Sequence, residues 1–384
     1  MAALRGRKQR EERPFALMVA DLAAAERLIE LDAPVRHGLA GAERLILLAP
    51  RRGDAPAAEG VAPGSRLLGV MLPYTPLHHL LAREIALPFV LTSGNQSDEP
   101  IAYRDDDARD RLSPLCDFRL VHDRPIETRC DDSVARSAHG RVQILRRARG
   151  FAPRPVALPF RAPRPILPCG AELKSTICLA VGDRAFVSHH LGDLQHYAAF
   201  EAFREAIAQY ERMFDVRPAV IAHDLHPDYL STQHAVALAD ADGLALEGVQ
   251  HHQAHAAACL AEAGHAGRAI ALCFDGLGYG TDGTIWSGEF LIADRADFAR
   301  AGRLAPVPMP GSAARSASPG AWRSPTSMRR SMARFPPTSR SSAATRRAGK
   351  PRARCCGRAP TRRSLRASGG CSTRSRRSRG SAIA

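Results

Sequence analysis

Three observations predict an α/β chain of two tandem units. Helical periods alternate with short apolar runs through residues 1–155. A strand, glycine turn, strand pattern occurs at ICLAVGDRAFVSHH and again at AIALCFDGLGYGTDGTIWSGEFLI, and no acidic residue occurs from 311 to 384. Periods near 3.6 interleaved with buried-strand runs are the mark of helices packed on a sheet.

At 384 residues the chain has room for two or three domains with cores of their own. Its formal charge of +15 misleads until divided. Nineteen of the 54 basic residues lie in 311–384, so 35 basic face 39 acidic residues before residue 311. The basicity belongs to the tail and does not make the body a nucleic-acid binder. Six of nine cysteines precede the tail, at 116, 130, 169, 178, 259 and 273, without CxxC spacing. This usage suits a reducing, cytoplasmic setting. The start, MAALRGRKQREERPF, lacks an apolar centre, and no run of 18 apolar residues occurs. Neither a signal peptide nor a membrane span is expected.

In the first unit, DLAAAERLIEL and PLHHLLAREI read as helices, and RLILLAP and LPFVLTS as strands. Its polar groups are Lys8, Arg10 and Arg13 before PFALMV, the run Thr92 to Asn95 after a strand, Asp131, Asp132 and Ser133, and Arg146, Arg147 and Arg149. Cations, hydroxyls and an amide at strand ends suit a nucleotide phosphate, because guanidinium binds oxyanions in a fork and open α/β sheets bind ligands there. Singly, each is equally a solvated face or a turn.

VALPFRAPRPI, residues 156–166, reads as a linker because it is rich in proline and arginine. GAELKST at 170–176 opens the second unit and leads into the first hairpin. Two glycine-turn hairpins in tandem are what a duplicated, actin-like nucleotide-binding fold presents, although a plain structural repeat would look the same. FEAFREAIAQYERMFDV between them reads as a core helix. Asp224, His226 and Asp228 follow the strand AVIAH, as cleft residues or turn caps. His251 and His255, four apart at the start of an alanine-rich segment closing at Gly264, share a helix face. Ala269 to Phe274 reads as a short buried strand with Asp275 at its end, followed by a loop with glycines at 276, 278, 280 and 283. Two imidazoles and a carboxylate suit a divalent metal with open positions, and the glycines allow backbone amides near anionic oxygens. Such a histidine pair alone is as easily a surface feature.

RKQREERPFALMV, GVMLPYTPLHHLL, TSGNQSDEPIA and HDRPIETRCDDSVAR followed by RRARGFAP resemble the YrdC-like domain of the HypF family, the carbamoyltransferases of [NiFe]-hydrogenase maturation. The stretch from CGAELKST to GTDGTIWSGEFLIAD resembles that family's carbamoyl-transfer domain, which is related to TsaD. The resemblance covers roughly residues 1 to 311. It implies a YrdC-like domain at 1–155, incomplete at its N-terminus, that makes carbamoyl-adenylate from ATP, with Lys8, Arg10, Ser93, Asn95 and Ser133 at motif positions. It also implies the N-terminal part of an actin-like (ASKHA) transfer domain at 167–310. There His251, His255 and Asp275 would be metal ligands, and Lys174, Ser175 and Gly276, Gly278 and Gly280 would lie near nucleotide phosphates. The metal is left open among zinc, iron and magnesium. The implied substrates are carbamoyl phosphate and ATP, and the acceptor is the C-terminal cysteine of the partner HypE. Arg13 departs from the family motif, which commonly has lysine before PFA.

At 309–311 the likeness stops, and 311–384 is rich in Arg and Ser without an apolar period. A disordered tail is expected. Family members continue with a stretch resembling EPWRMA, and a GC-rich coding of Ser318 to Arg323 read one base earlier gives that peptide. We therefore expect 311–384 to be an out-of-frame translation, an idea that fails if the shifted gene frame stops at once. Family members also begin with an acylphosphatase-like domain and paired CxxC motifs that this sequence lacks, so an inactive or partial fragment of limited solubility is expected. The alternative is a non-catalytic RNA-binding protein with a basic arm. Salt-dependent RNA binding that survives removal of 311–384 would favour it.

Overall fold

The computed structural model describes residues 1–306 apart from residues 11, 97 and 98. The expected disordered or out-of-frame tail lies outside the described residues.

The first unit runs α1 (Ala2–Lys8), β1 (Ala16–Met18), α2 (Leu22–Glu26), α3 (Ala33–Ala40), β2 (Ile46–Pro50), β3 (Leu67–Met71), α4 (Pro76–Ile85), β4 (Phe89–Leu91), α5 (Asp105–Leu112), β5 (Val134–Ala138) and β6 (Arg141–Arg146). The strands form one mixed sheet in the order β4-β1-β3-β2-β5-β6. Its core holds Phe15, Leu17, Leu28, Ile29, Leu39, Leu47, Leu68 and Val70. Three helix starts carry side-chain caps: Asp21 accepts from Ala24 N, Asp32 from Val35 N and Thr75 from His78 N. DLAAAERLIEL is helical only to Glu26. Leu28 and Ile29 are fully buried and Ile29 bridges to Arg51, so the chain leaves the helix to reach the sheet.

The second unit begins earlier than expected. β7 (Val156–Ala157) lies inside the segment read as a linker and pairs with β10. This corrects the 156–166 reading: a proline-rich stretch still serves at a sheet edge, where its missing amides face no partner. There follow β8 (Ile166–Pro168), β9 (Cys178–Val181), β10 (Arg184–Val187), α6 (Tyr197–Phe214), β11 (Val220–Asp224), α7 (Leu230–Asp242), β12 (Ala245–Val249) and α8 (His251–Glu262). The sheet order is β12-β11-β8-β9-β10-β7, with β8, β11 and β12 parallel and β8, β9 and β10 a meander. That is the layout of one lobe of an actin-like fold. Phe203, Ile207 and Tyr210 of α6 pack on Leu167, Ile177, Leu179 and Ile221.

A third, antiparallel sheet of β13 (Ala269–Tyr279), β14 (Ile285–Ala293) and β15 (Phe298–Arg303) repeats the opening meander. β13 corrects the short buried strand. It continues through Gly276 and Gly278 to Tyr279 with a bulge after Phe274, and Ile270, Leu272 and Phe274 are exposed. The turn occupies 280–284 only.

Polar contacts join the first two sheets' units. Glu205 of α6 receives Arg129 at 2.9 Å and Arg104 at 3.0 Å, and Arg147 donates to the Val187 carbonyl at 2.6 Å. Beside them a cavity of about 430 Å³ is lined by Tyr103, Arg129, His189, Glu205 and Gln209.

Candidate functional site

The first site is a cleft of about 520 Å³ on the first sheet, lined among others by Arg10, Tyr74, His78, Ser93, Asp131 and Asp132. Three residues named from the sequence meet at its edge. Lys8 ends α1, is buried, and donates from Nζ to the carbonyls of Ser93 at 2.8 Å and Asn95 at 2.5 Å. Ser93 Oγ donates to Asn95 Oδ1 at 2.7 Å, and Asn95 Nδ2 to the Glu99 carbonyl at 2.6 Å. Burial, with a smaller push from the Arg10 charge, lowers Lys8 to about 8. The cation is thus poised to gain when an anion arrives. Arg10 packs over the Phe15 ring at 5.0 Å and donates to the Pro14 carbonyl at 2.7 Å.

Ser133 does not itself line this cleft. Its hydroxyl donates to the Arg149 carbonyl and accepts from Ala148 N, both at 2.8 Å, and it is fully buried. It anchors the RRARG segment, while its neighbours Asp132 and Val134 line the cleft. The Arg149 guanidinium lies 3.4 Å over the Tyr74 ring and pairs with Asp132 at 2.8 Å. Burial and then the Asp132 charge push the Tyr74 phenol up to about 12. Sequence reasoning did not single out Tyr74 or His78, whose Nδ1 is buried with no partner among the described residues. A tyrosine and a histidine one turn apart in YTPLH was the available signal; their rings meet edge-on at 4.4 Å.

The second site stands at the start of α8. Gln250 caps this helix, accepting from Gln253 N at 3.0 Å. Helical spacing brings His251 and His255 to one face with ring centroids 4.8 Å apart. β13 crosses beside them and supplies Asp275. Asp275 Oδ2 is 2.8 Å from His251 Nε2 and 3.6 Å from His255 Nε2, and the two Nε2 atoms are 3.2 Å apart. One ligand atom from each lies within 4.8 Å of the others. On the far side of the His251 ring, Nδ1 meets Asp224 Oδ2 at 2.6 Å. That hydrogen bond, more than the charges of Asp224 and Asp275, raises His251 against the opposing effect of burial. Asp224 also accepts from His226 N at 2.9 Å, so the two roles considered for it, cleft and turn, coexist. A cleft of about 380 Å³ opens here between Pro168, Gly170, His223, Asp224, His251 and His255. Two imidazole nitrogens and a carboxylate, one imidazole backed by a second carboxylate, make a donor set that fits a first-row divalent ion with positions left open.

Two glycines of the second hairpin permit close packing. A Cβ on Gly278 would lie 2.3 Å from His252 Cε1 and 3.2 Å from His251 Cβ, and one on Gly280 would lie 2.0 Å from Trp286 Nε1. These two let the strand press against the histidines and the tryptophan. Gly276 faces open space, and its amide donates to its neighbour Asp275 Oδ1 at 2.6 Å. Lys174 is exposed with φ of 51°, and Ser175 is buried with its hydroxyl unpartnered among the described residues. Neither lines the cleft of His251 and His255.

Family models match along the chain: "Telomere recombination", the YrdC type, at 1–148; "HypF Kae1-like domain" at 161–262; and "Carbamoyltransferase, Kae1-like Domain, second subdomain" at 271–363. The last runs past residue 311, further than the likeness read from the sequence. Carbamoyltransferase HypF2 of Cupriavidus necator is 46% identical over 329 residues, covering 81% of this chain and 41% of that protein. Carbamoyltransferase HypF of Rhodobacter capsulatus is 43% identical, covering 80% and 42%. Among solved structures, full-length HypF in the phosphate- and nucleotide-bound form superposes with a TM-score of 0.74 at 42% identity, covering 78% of this chain and 39% of that one. HypF of T. kodakarensis gives 0.77 at 34% identity, covering 82% and 41%. With both sheets, the order of the domains and these relatives in agreement, the chain belongs to the HypF carbamoyltransferase family, and it spans about two fifths of the length of the curated relatives it matches.

Proposed function

We propose that this chain carries the adenylation and transfer sites of an ATP-dependent carbamoyltransferase of [NiFe]-hydrogenase maturation. The observation that supports it most is that one folded unit of this family holds both a lysine-edged cleft on a YrdC-like sheet and a two-histidine, one-aspartate cluster on an actin-like one. In the first cleft, carbamate derived from carbamoyl phosphate attacks the α-phosphorus of ATP; the bond to the bridging oxygen breaks and pyrophosphate leaves, giving carbamoyl-adenylate. Lys8 and Arg10 stabilise negative charge on the phosphates, and the loop of Ser93 and Asn95 holds Lys8 in place. In the second cleft, the C-terminal cysteine thiolate of HypE attacks the carbamoyl carbon, a C–S bond forms and AMP leaves. His251, His255 and Asp275 would hold a divalent ion there. Such an ion, zinc, iron or magnesium, would polarise the acyl oxygen and neutralise phosphate charge.

The test supplies the chain with ammonium carbamate, which bypasses the hydrolysis of carbamoyl phosphate, together with ATP and HypE, and follows pyrophosphate release and carbamoylation of HypE separately. Lys8→Ala is expected to abolish both. His251→Ala is expected to abolish transfer and spare pyrophosphate release. Equal loss of both activities in His251→Ala would defeat the division of labour.

A further inference from the structure

We infer that Asp224 is a positioning residue of the metal cluster, fixing which nitrogen of His251 is offered to an ion. The inference rests on the reading of His251, His255 and Asp275 as ligands and adds a residue outside that set. Asp224 ends β11 and is only 7% exposed. Its Oδ2 lies 2.6 Å from His251 Nδ1, its Oδ1 accepts from His226 N at 2.9 Å, and its carbonyl accepts from Thr232 Oγ1 at 3.0 Å. The second carboxylate oxygen is thus tied to the His226 amide and the residue's backbone to Thr232, which leaves the carboxylate little freedom to follow a turning ring.

A neutral imidazole carries its proton on one nitrogen and its lone pair on the other. With a buried carboxylate accepting at Nδ1, the proton stays there and the lone pair is on Nε2. Nε2 is the atom facing Asp275 and His255. The same acceptor fixes the ring plane and makes Nε2 a stronger donor. Among the described residues His255 has no such backing: it is more exposed and meets only His251 and Asp275. The cluster thus pairs one preorganised ligand with one adaptable ligand.

Asp224→Asn separates this role from turn capping. The asparagine oxygen can still accept from His226 N, but the group then facing Nδ1 is an amide donor, which favours the tautomer with Nδ1 bare and Nε2 protonated. Cobalt(II) serves as the probe, titrated into the full chain and followed by its visible absorption and by calorimetry. The expected result is one bound cobalt in the unsubstituted chain and roughly 10- to 100-fold weaker binding in Asp224→Asn, with the metal-free melting temperature unchanged. Equal affinity in the two overturns the role of Asp224 while leaving the ligand set standing. If the unsubstituted chain takes up no cobalt, the metal reading itself fails. A second measurement needs no variant: nitrogen-15 shifts of His251 in the metal-free chain should report a proton on Nδ1, and a proton on Nε2 alone overturns the inference even where Asp224→Asn does not fold.

Discussion

Gly278 is a position where one methyl group would press directly on the histidine cluster. The nearest atoms, on His252 and His251, belong to the first turn of α8, and the strand backbone is fixed by pairing with Trp286. Gly278→Ala should cost on the order of 1–3 kcal/mol through overpacking and displace the His251 ring, whereas Gly276→Ala, with open space before it, should be nearly neutral. Chemical denaturation and cobalt uptake of the two variants side by side check this, and equal behaviour would refute it. Lys8 gives a second prediction. Its pKa near 8 means the ammonium is lost as pH rises from 7 to 9, so ATP should bind more weakly at pH 9, and Lys8→Met should bind weakly at both. A wild-type affinity that stays flat across this range would contradict the assignment. At this scale the sequence was enough to bring His251 and His255 together, because helical spacing alone joins them. It did not reveal the use of Gly278 or Ser133, since a glycine beside an aspartate and a serine before a strand look the same whether they face a phosphate or pack against their own chain.

At the scale of elements, the loop after β10 carries a pH liability. His189 is 6% exposed with Nε2 unpartnered among the described residues, and burial, aided by the Arg129 charge, lowers it to about 4. The folded state holds this ring neutral while the unfolded chain protonates it near 6.5, so the stabilisation is present above 6.5 and is lost as pH falls towards 4. The full swing is roughly 3 kcal/mol. Denaturant melts at pH 7 and pH 5 should differ by about 2 kcal/mol of that swing, and His189→Gln should narrow the difference; an unchanged difference would assign the acid sensitivity elsewhere. Helices and capped starts were legible in the sequence, as with Thr75 and α4. The reach of β13 past Asp275 was not, because the pairing that extends it comes from β14 and no local period encodes it.

For the whole molecule, the ion and the nucleotide should act on different parts. With metal at a hundred times its dissociation constant the gain is about 2.7 kcal/mol, confined to the second unit, and a chelator should remove it without changing ATP binding by the first. Thermal melting with and without chelator, repeated for His255→Ala, tests this: a shift that survives the substitution would place the ion elsewhere. The order of the units along the chain was legible from composition and the repeated hairpin. Their boundary was not. β7 is drawn from what reads as a tether and completes the edge of the next sheet. A gene cut within 156–166 would therefore deprive the downstream half of its border strand and leave β10 to find another partner. Evolutionary or laboratory shuffling of these halves has its clean seam just ahead of residue 156, and the short peptide that looks like a spacer travels with the half that follows it.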